Sequence, residues 1–404
     1  MLSQFIEAAD RSPLRRVYIV ILVGFVAFMV AATAIQQWGP VGKPVISDFD
    51  AFYMAGQLAL RGQYALAYDF DLYTGFQREL LAGDRRLTWS YPPPFGLVTM
   101  PLALVPRGPS FLLFEGLTVA SYLWVLNRIA GRDLVTALAL LVLPVSVVLF
   151  FGQNGLLTGT LAGLVCLGLR DRKGWAGVPL GLMIIKPHLA LALGVYVLAS
   201  RQWRVLAVTL ATLAAASLLP MLVFGPGVWS AFLGGISTTA GLLREDFYPF
   251  YRMVSTYGAL RSAGLTANFA LAGQAVIAIA ALALVVVATL RLPSRSALGV
   301  AALVSLMMTP YAYDYDTPVM GIGLVLLLPD LRLLARPWER SFIYALFIVA
   351  AGFGLAATPA QIGQAGQSPA GLLLLIMVAM VWTVLRRARR PAGGREIVRN
   401  RTLA

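Results

Sequence analysis

Apolar runs long enough to enter a membrane recur from one end of this chain to the other, separated by short basic connections. They fall at 17–35, 110–127, 134–151, 154–169, 175–186, 188–200, 204–224, 269–290, 297–309, 318–329, 341–357 and 370–385. A helix needs about 20 apolar residues to cross the ~30 Å hydrocarbon core, and within lipid the backbone must satisfy its own polar groups. The pattern predicts an all-α polytopic integral membrane protein, a single membrane domain with about 12 transmembrane helices, several short or broken. Only 12% of the 404 residues are charged, against roughly 25% in soluble domains. A soluble enzyme and a disordered chain are thereby excluded. The lone Cys166 rules out an intrachain disulfide and leaves no thiolate metal cluster.

The net charge of +14 would suit nucleic acid, but the positions of the charges point elsewhere. With the N-terminus inside, every short cytoplasmic connection is basic: Arg128/Arg132, Arg170/Arg172/Lys173, Arg201/Arg204, Arg291/Arg295 and Arg332/Arg336/Arg340. Arg386, Arg387, Arg389 and Arg390 open a basic cytoplasmic tail that runs on through 391–404. This is the positive-inside pattern. It predicts an inner-membrane protein with both termini cytoplasmic, membrane lipids as surroundings and no nucleic-acid partner. A competing signal-peptide pattern, Arg15-Arg16 followed by an apolar stretch and Ala32-Thr33-Ala34, is set aside because that stretch is long enough to span.

Four runs, 175–186, 188–200, 297–309 and 318–329, are too short to cross alone. They form two pairs meeting at polar elbows, Lys186-Pro187-His188 and the segment from Thr309 to Asp316. Polar, non-helical backbone at membrane depth belongs where it lines a cavity, so the elbows are expected at the floor of one outward-facing cavity. Two long outer loops, 36–109 and 225–268, complete this face. In the first, 49–61 and 70–83 read as helices, and 95–105 as a helix on the membrane surface after Tyr91-Pro92-Pro93-Pro94. Residues 1–224 form one module and 225–404 a second helical half.

An ordered set of short motifs runs along about residues 15–330. They are Asp48-Phe49-x-x-Phe52-Tyr53-x-Ala55-Gly56, Gly62, Tyr68-Asp69, Tyr91-Pro92-Pro93, Gly152-Gln153-Asn154, Gly177…Gly181 into Lys186-Pro187, Arg201-x-Trp203-Arg204 and Thr309-Pro310…Tyr315-Asp316. The set resembles the GT-C class of membrane glycosyltransferases, and within it family 87, the DUF2029 group related to phosphatidylinositol mannoside mannosyltransferases. The resemblance implies an inverting transferase that moves a sugar from a polyprenyl-phosphate donor to a lipid or glycan acceptor on the outer face. Those mannosyltransferases carry a Trp-x-His-His-like signature after the late Ser-Pro. This chain has Tyr313-Asp314-Tyr315-Asp316 there, so neither mannose nor an inositol lipid follows.

Such a reaction needs a base for the acceptor hydroxyl and cations around the departing phosphate. Asp48 is the candidate base, with a helix N-cap as its structural alternative. Asp50 is the runner-up, its side chain diverging by about 200° on a helix. Lys186, a cation inside an apolar stretch, is a donor-phosphate candidate or a snorkelling lysine. His188, Arg252 and Arg261 are further phosphate candidates; satisfied or solvated positions are their alternatives. Tyr53, Tyr91, Gln153, Asn154, Tyr313, Asp314 and Asp316 are candidates for sugar or acceptor contact. Gln153-Asn154 also suits a tight turn, and the two aspartates a helix cap or a divalent cation. The only histidine is His188, so a multi-histidine site is impossible, and neither metal nor cofactor is expected. Broken helices would also suit a transporter or lipid-linked-sugar flippase, and a surface-polysaccharide polymerase or ligase lies closer in chemistry.

Overall fold

Each of the twelve apolar runs is helical along most of its length in the computed structural model, which describes residues 1–38, 47–80, 86–361 and 366–389. The tail at 391–404 lies outside the described residues. In chain order the helices are α1 (Leu2–Arg11), α2 (Arg15–Trp38), α3 (Phe49–Leu60), α4 (Phe70–Leu80), α5 (Pro94–Leu102) and α6 (Arg107–Ala130). Then follow α7 (Leu134–Phe151), α8 (Gly155–Arg170), α9 (Gly177–Leu182), α10 (Pro187–Ala199), α11 (Trp203–Phe224) and α12 (Val228–Arg244). The last six are α13 (Thr256–Ser262), α14 (Ala267–Arg291), α15 (Ser294–Leu303), α16 (Thr317–Leu334), α17 (Pro337–Gln361) and α18 (Ala370–Leu385). Among the described residues there is no strand beyond one bridge between Met253 and Tyr313.

Six segments are long and apolar enough to cross a membrane; one of them, Arg107–Phe151, contains both α6 and α7. Four shorter apolar helices accompany them, Gly155–Arg170, Gly174–Ile185, Pro187–Ala199 and Ala370–Leu385. One short run departs from the sequence expectation. The run at 318–329 extends to the 18 residues of α16, because neighbours neutralise the charges of its last turns. Asp330 accepts from Ser296 and pairs with Arg295, while Arg332 pairs with Asp10, Asp133 and Glu7. The partner run, 297–309, keeps only ten α-helical residues before a tight turn at Ser305–Met308. The loop at 225–268 is also more ordered than its sequence suggests, holding the 17-residue α12 and the short α13.

The bundle is polar at both ends. At a rise of 1.5 Å per residue, α16 holds its two ends roughly 27 Å apart. Its C-terminal end carries the Arg332 cluster, which ties α1 to α7. Its N-terminal end follows Asp314 and Asp316. Two glycines permit the close packing around that end. A Cβ on Gly155 would lie 1.7 Å from the carbonyl oxygen of Tyr315, and one on Gly354 would lie 2.2 Å from Oδ2 of Asp314. Small residues at such crossings let helices approach to backbone contact.

Candidate active site

Five chain segments converge at the N-terminal end of α16: the entry to α3, the α7–α8 turn, the α9–α10 elbow, the stretch before α13, and the elbow before α16. The α7–α8 turn reverses through Gly152 at φ +69°, a left-handed conformation that favours glycine. The stretch before α13 is pinned to the last elbow by Val254 N–H donating to the Ala312 carbonyl at 2.9 Å.

Asp48 stands at the N-cap position of α3, but its side chain makes no cap hydrogen bond. Its backbone N–H donates to the Phe151 carbonyl at 2.9 Å. Its Oδ2 accepts from Gln153 Nε2 at 3.1 Å and pairs with Arg252 NH1 at 3.5 Å. The Tyr91 hydroxyl donates to Gln153 Oε1 at 3.1 Å, which turns the amide N–H₂ of Gln153 towards Asp48. The Asp48 side chain remains 13% exposed.

Arg252 is buried, and all three of its nitrogens are engaged. Besides Asp48 it donates to Asp314, from NH2 at 3.1 Å and Nε at 3.4 Å, and its guanidinium lies 3.2 Å from the centre of the Phe151 ring. Burial opposes its charge, but the carboxylates of Asp314 and Asp48 outweigh it, so its pKa lies above the ordinary arginine value. For Tyr91, burial first and then Asp316 and Asp48 push the phenol well above the usual tyrosine range. It is therefore a neutral donor.

Lys186 is only 7% exposed and donates to Asp316 Oδ1 at 2.7 Å. Its ammonium lies 4.7 Å from the centre of the Tyr315 ring and 5.8 Å from that of Tyr91. Tyr315 is also 5.3 Å from the Arg252 guanidinium, so one ring adjoins both cations. Asp314 accepts in addition from Tyr315 N–H at 2.9 Å, and Asp316 from Tyr313 N–H at 3.2 Å. Two buried cations and three carboxylates thus share one cluster. Buried ion pairs are weak contributors to stability, because desolvation offsets their attraction. Buried ionisable groups gathered in this way are candidates for function.

The other sequence candidates take different places. Asp50 points away from the cluster, pairs in a fork with Arg107 at the start of α6 and accepts from Ser47 N–H at 2.7 Å. Tyr53 donates to the Val105 carbonyl at 3.2 Å, joining α3 to the turn after α5. Arg261 pairs with Asp246 and donates to the Leu265 carbonyl. Asn154 is fully buried, with its side chain beside the Tyr91 hydroxyl. His188 lies in the first turn of α10, its Nε2 buried and without a partner among the described residues. Among the described residues no three His, Cys, Asp or Glu side chains are grouped to hold a metal ion.

Phe151 and Arg107 were not singled out from the sequence, and Tyr315 entered only as a member of the late motif, without a role of its own. Phe151 sits in an apolar run where nothing distinguishes it from core. Arg107 had one available signal: Asp50 faces away from Asp48 and needs a partner.

No curated protein and no solved structure matches this chain. The profile of glycosyltransferase family 87 matches residues 89–310, a stretch that holds Tyr91, Gln153, Asn154, Lys186, His188, Arg252 and Arg261 and lies between Asp48 and the pair Asp314 and Asp316. The match covers more than half of the chain, which therefore belongs to glycosyltransferase family 87.

Proposed function

We propose that this membrane glycosyltransferase takes its sugar from a polyprenyl-phosphate donor and transfers it, with inversion, to a lipid or glycan acceptor on the outer face of the inner membrane. In this reading all twelve apolar runs traverse the bilayer, both termini are cytoplasmic, and the segments at 36–109 and 225–268 meet outside. The observation that carries it is the placement of Asp48, partly exposed and held by Gln153 and Arg252, in the same cluster as the buried Lys186.

The acceptor hydroxyl attacks the anomeric carbon as the bond from that carbon to the phosphate oxygen breaks. The phosphate leaves with the bonding electron pair, and the hydroxyl proton passes to Asp48. A phosphate leaves readily as an anion, so the reaction needs charge neutralisation more than an acid. Lys186 supplies that charge by exchanging Asp316 for the phosphate, and His188 belongs to the same elbow. Arg252 is already committed to two carboxylates, so its part is to hold Asp48 in place. Asn154 and Tyr91 face the transferred sugar. Purified protein incubated with radiolabelled polyprenyl-phosphate mannose or glucose and a cell-lipid extract should yield a labelled product. A donor left intact in every combination would contradict this and favour the transporter or ligase classes.

A further inference from the structure

We propose that Tyr248, Tyr311 and Tyr313 form a subsite for a neutral sugar ring of the acceptor; this rests on the transferase reading above. The three belong to a continuous series of ring contacts. Phe70 meets Phe247 at 5.7 Å between ring centres, Phe247 meets Tyr248 at 5.2 Å, Tyr248 meets Tyr311 at 4.9 Å, and Tyr311 meets Tyr313 at 5.6 Å. The series begins at the surface, where Phe247 is 37% exposed, and passes the buried Tyr248 and the half-buried Tyr311 to Tyr313, 4% exposed, whose ring stacks in turn on Tyr315 at 5.2 Å. There the Arg252 guanidinium, which also holds Asp48, lies 5.8 Å from the Tyr313 ring centre.

The chemistry along this series suits a polyol rather than a phosphate. A pyranose presents a face of C–H bonds that packs on an aromatic ring, and hydroxyls that both donate and accept. Apart from Arg252 and its carboxylate partners beside Tyr313, the polar groups here are phenols and threonines: Tyr248 pairs with Thr88 at 3.2 Å, bringing the two long loops together, and also meets Thr239. The Tyr313 hydroxyl is buried and has no partner among the described residues. Leaving such a group unpaired is costly, and a sugar hydroxyl would satisfy it. Nearby cations are already engaged, Arg261 by Asp246 and Arg252 by Asp314 and Asp48. A sugar ring resting on Tyr311, with one hydroxyl paired to that of Tyr313, would bring another hydroxyl towards Asp48 for the transfer step.

The direct test is saturation-transfer NMR on the full-length protein without donor, using methyl α-mannopyranoside, methyl β-glucopyranoside and glycerol 3-phosphate as probes. Saturation should reach the ring C–H protons of at least one glycoside in preference to glycerol phosphate. Replacing Tyr248 or Tyr311 by leucine, which keeps bulk without a flat face, should weaken that glycoside roughly three- to tenfold, the scale of one aromatic contact. Glycoside signals absent from the natural protein, or unchanged in both variants, would overturn the subsite. The second measurement uses radiolabelled polyprenyl-phosphate mannose and glucose. The ratio of transfer to octyl glycoside over transfer to water is independent of how much variant folds, and it should fall in either leucine variant. An unmoved ratio overturns the subsite. Glycoside binding without turnover of any donor would leave the subsite standing and count against the donor assignment instead.

Discussion

NH1 of Arg252 lies 3.5 Å from Oδ2 of Asp48, joining two loops across 204 residues of sequence. The contact aims the Asp48 carboxylate, and a neighbouring cation favours the ionised form that a base requires. Asp314, Tyr91 and Tyr313 are among the other titratable groups around it. Replacing Arg252 by glutamine together with Asp314→Asn avoids stranding a buried charge. Arg252 touches Asp48 directly and outweighs the loss of the Asp314 charge, so the acid limb of the kcat/KM profile should then move to higher pH. No alkaline limb below about pH 10 should come from Tyr91 or Arg252, since both are held above their ordinary values. An unmoved acid limb would mean that Arg252 acts elsewhere.

Lys186→Ala removes the cation assigned to the donor phosphate. Loss of a charge-assisted contact is worth roughly 1.5–3 kcal/mol, or about tenfold to a hundredfold in donor affinity. The Lys186→Arg variant keeps the charge and should retain much of that affinity. Unchanged donor binding in Lys186→Ala would leave the lysine as a partner of Asp316 only.

Gly354 is distant in sequence from every candidate, yet a Cβ there would strike Asp314, the buried partner of Arg252. Gly354→Ala should therefore lower turnover at least about tenfold by disturbing the Arg252 contacts, because displacing one partner of a buried pair is costly. Gly24→Ala, where nothing lies within 4 Å, is the matched control. Equal activity of the two variants, measured on folded monodisperse protein, would show that Asp314 does not need its present position.

Chelation is the next test. The phosphate charge is assigned to Lys186, so EDTA should leave turnover intact. Loss of activity restored by magnesium or manganese would assign Asp314 and Asp316 as oxygen ligands.

Much of this architecture was legible from composition and charge, because lipid leaves the backbone few options. The breaks at Lys186-Pro187 and Thr309–Asp316 were visible as polar interruptions of apolar runs, and both lie in the cluster. The pairings were not visible. A lone Arg252 in a polar loop looks like a solvated charge, and only the 2.9 Å contact between Val254 and Ala312 shows why it is drawn inward. The length of α16 was hidden for a similar reason: Asp330 and Arg332 read as a helix end until their partners on other helices are known.

Asp48→Asn tests the central claim most directly. Asparagine keeps the size and hydrogen-bonding reach of the side chain, so the fold and donor affinity should survive while the base is lost. Turnover should fall by ~10²–10⁴, the usual contribution of a positioned base. Asp50→Asn weakens the fork with Arg107 and should lower stability more than turnover per folded molecule. Near-normal turnover in Asp48→Asn, measured with radiolabelled polyprenyl-phosphate sugar at saturating acceptor, would contradict the account.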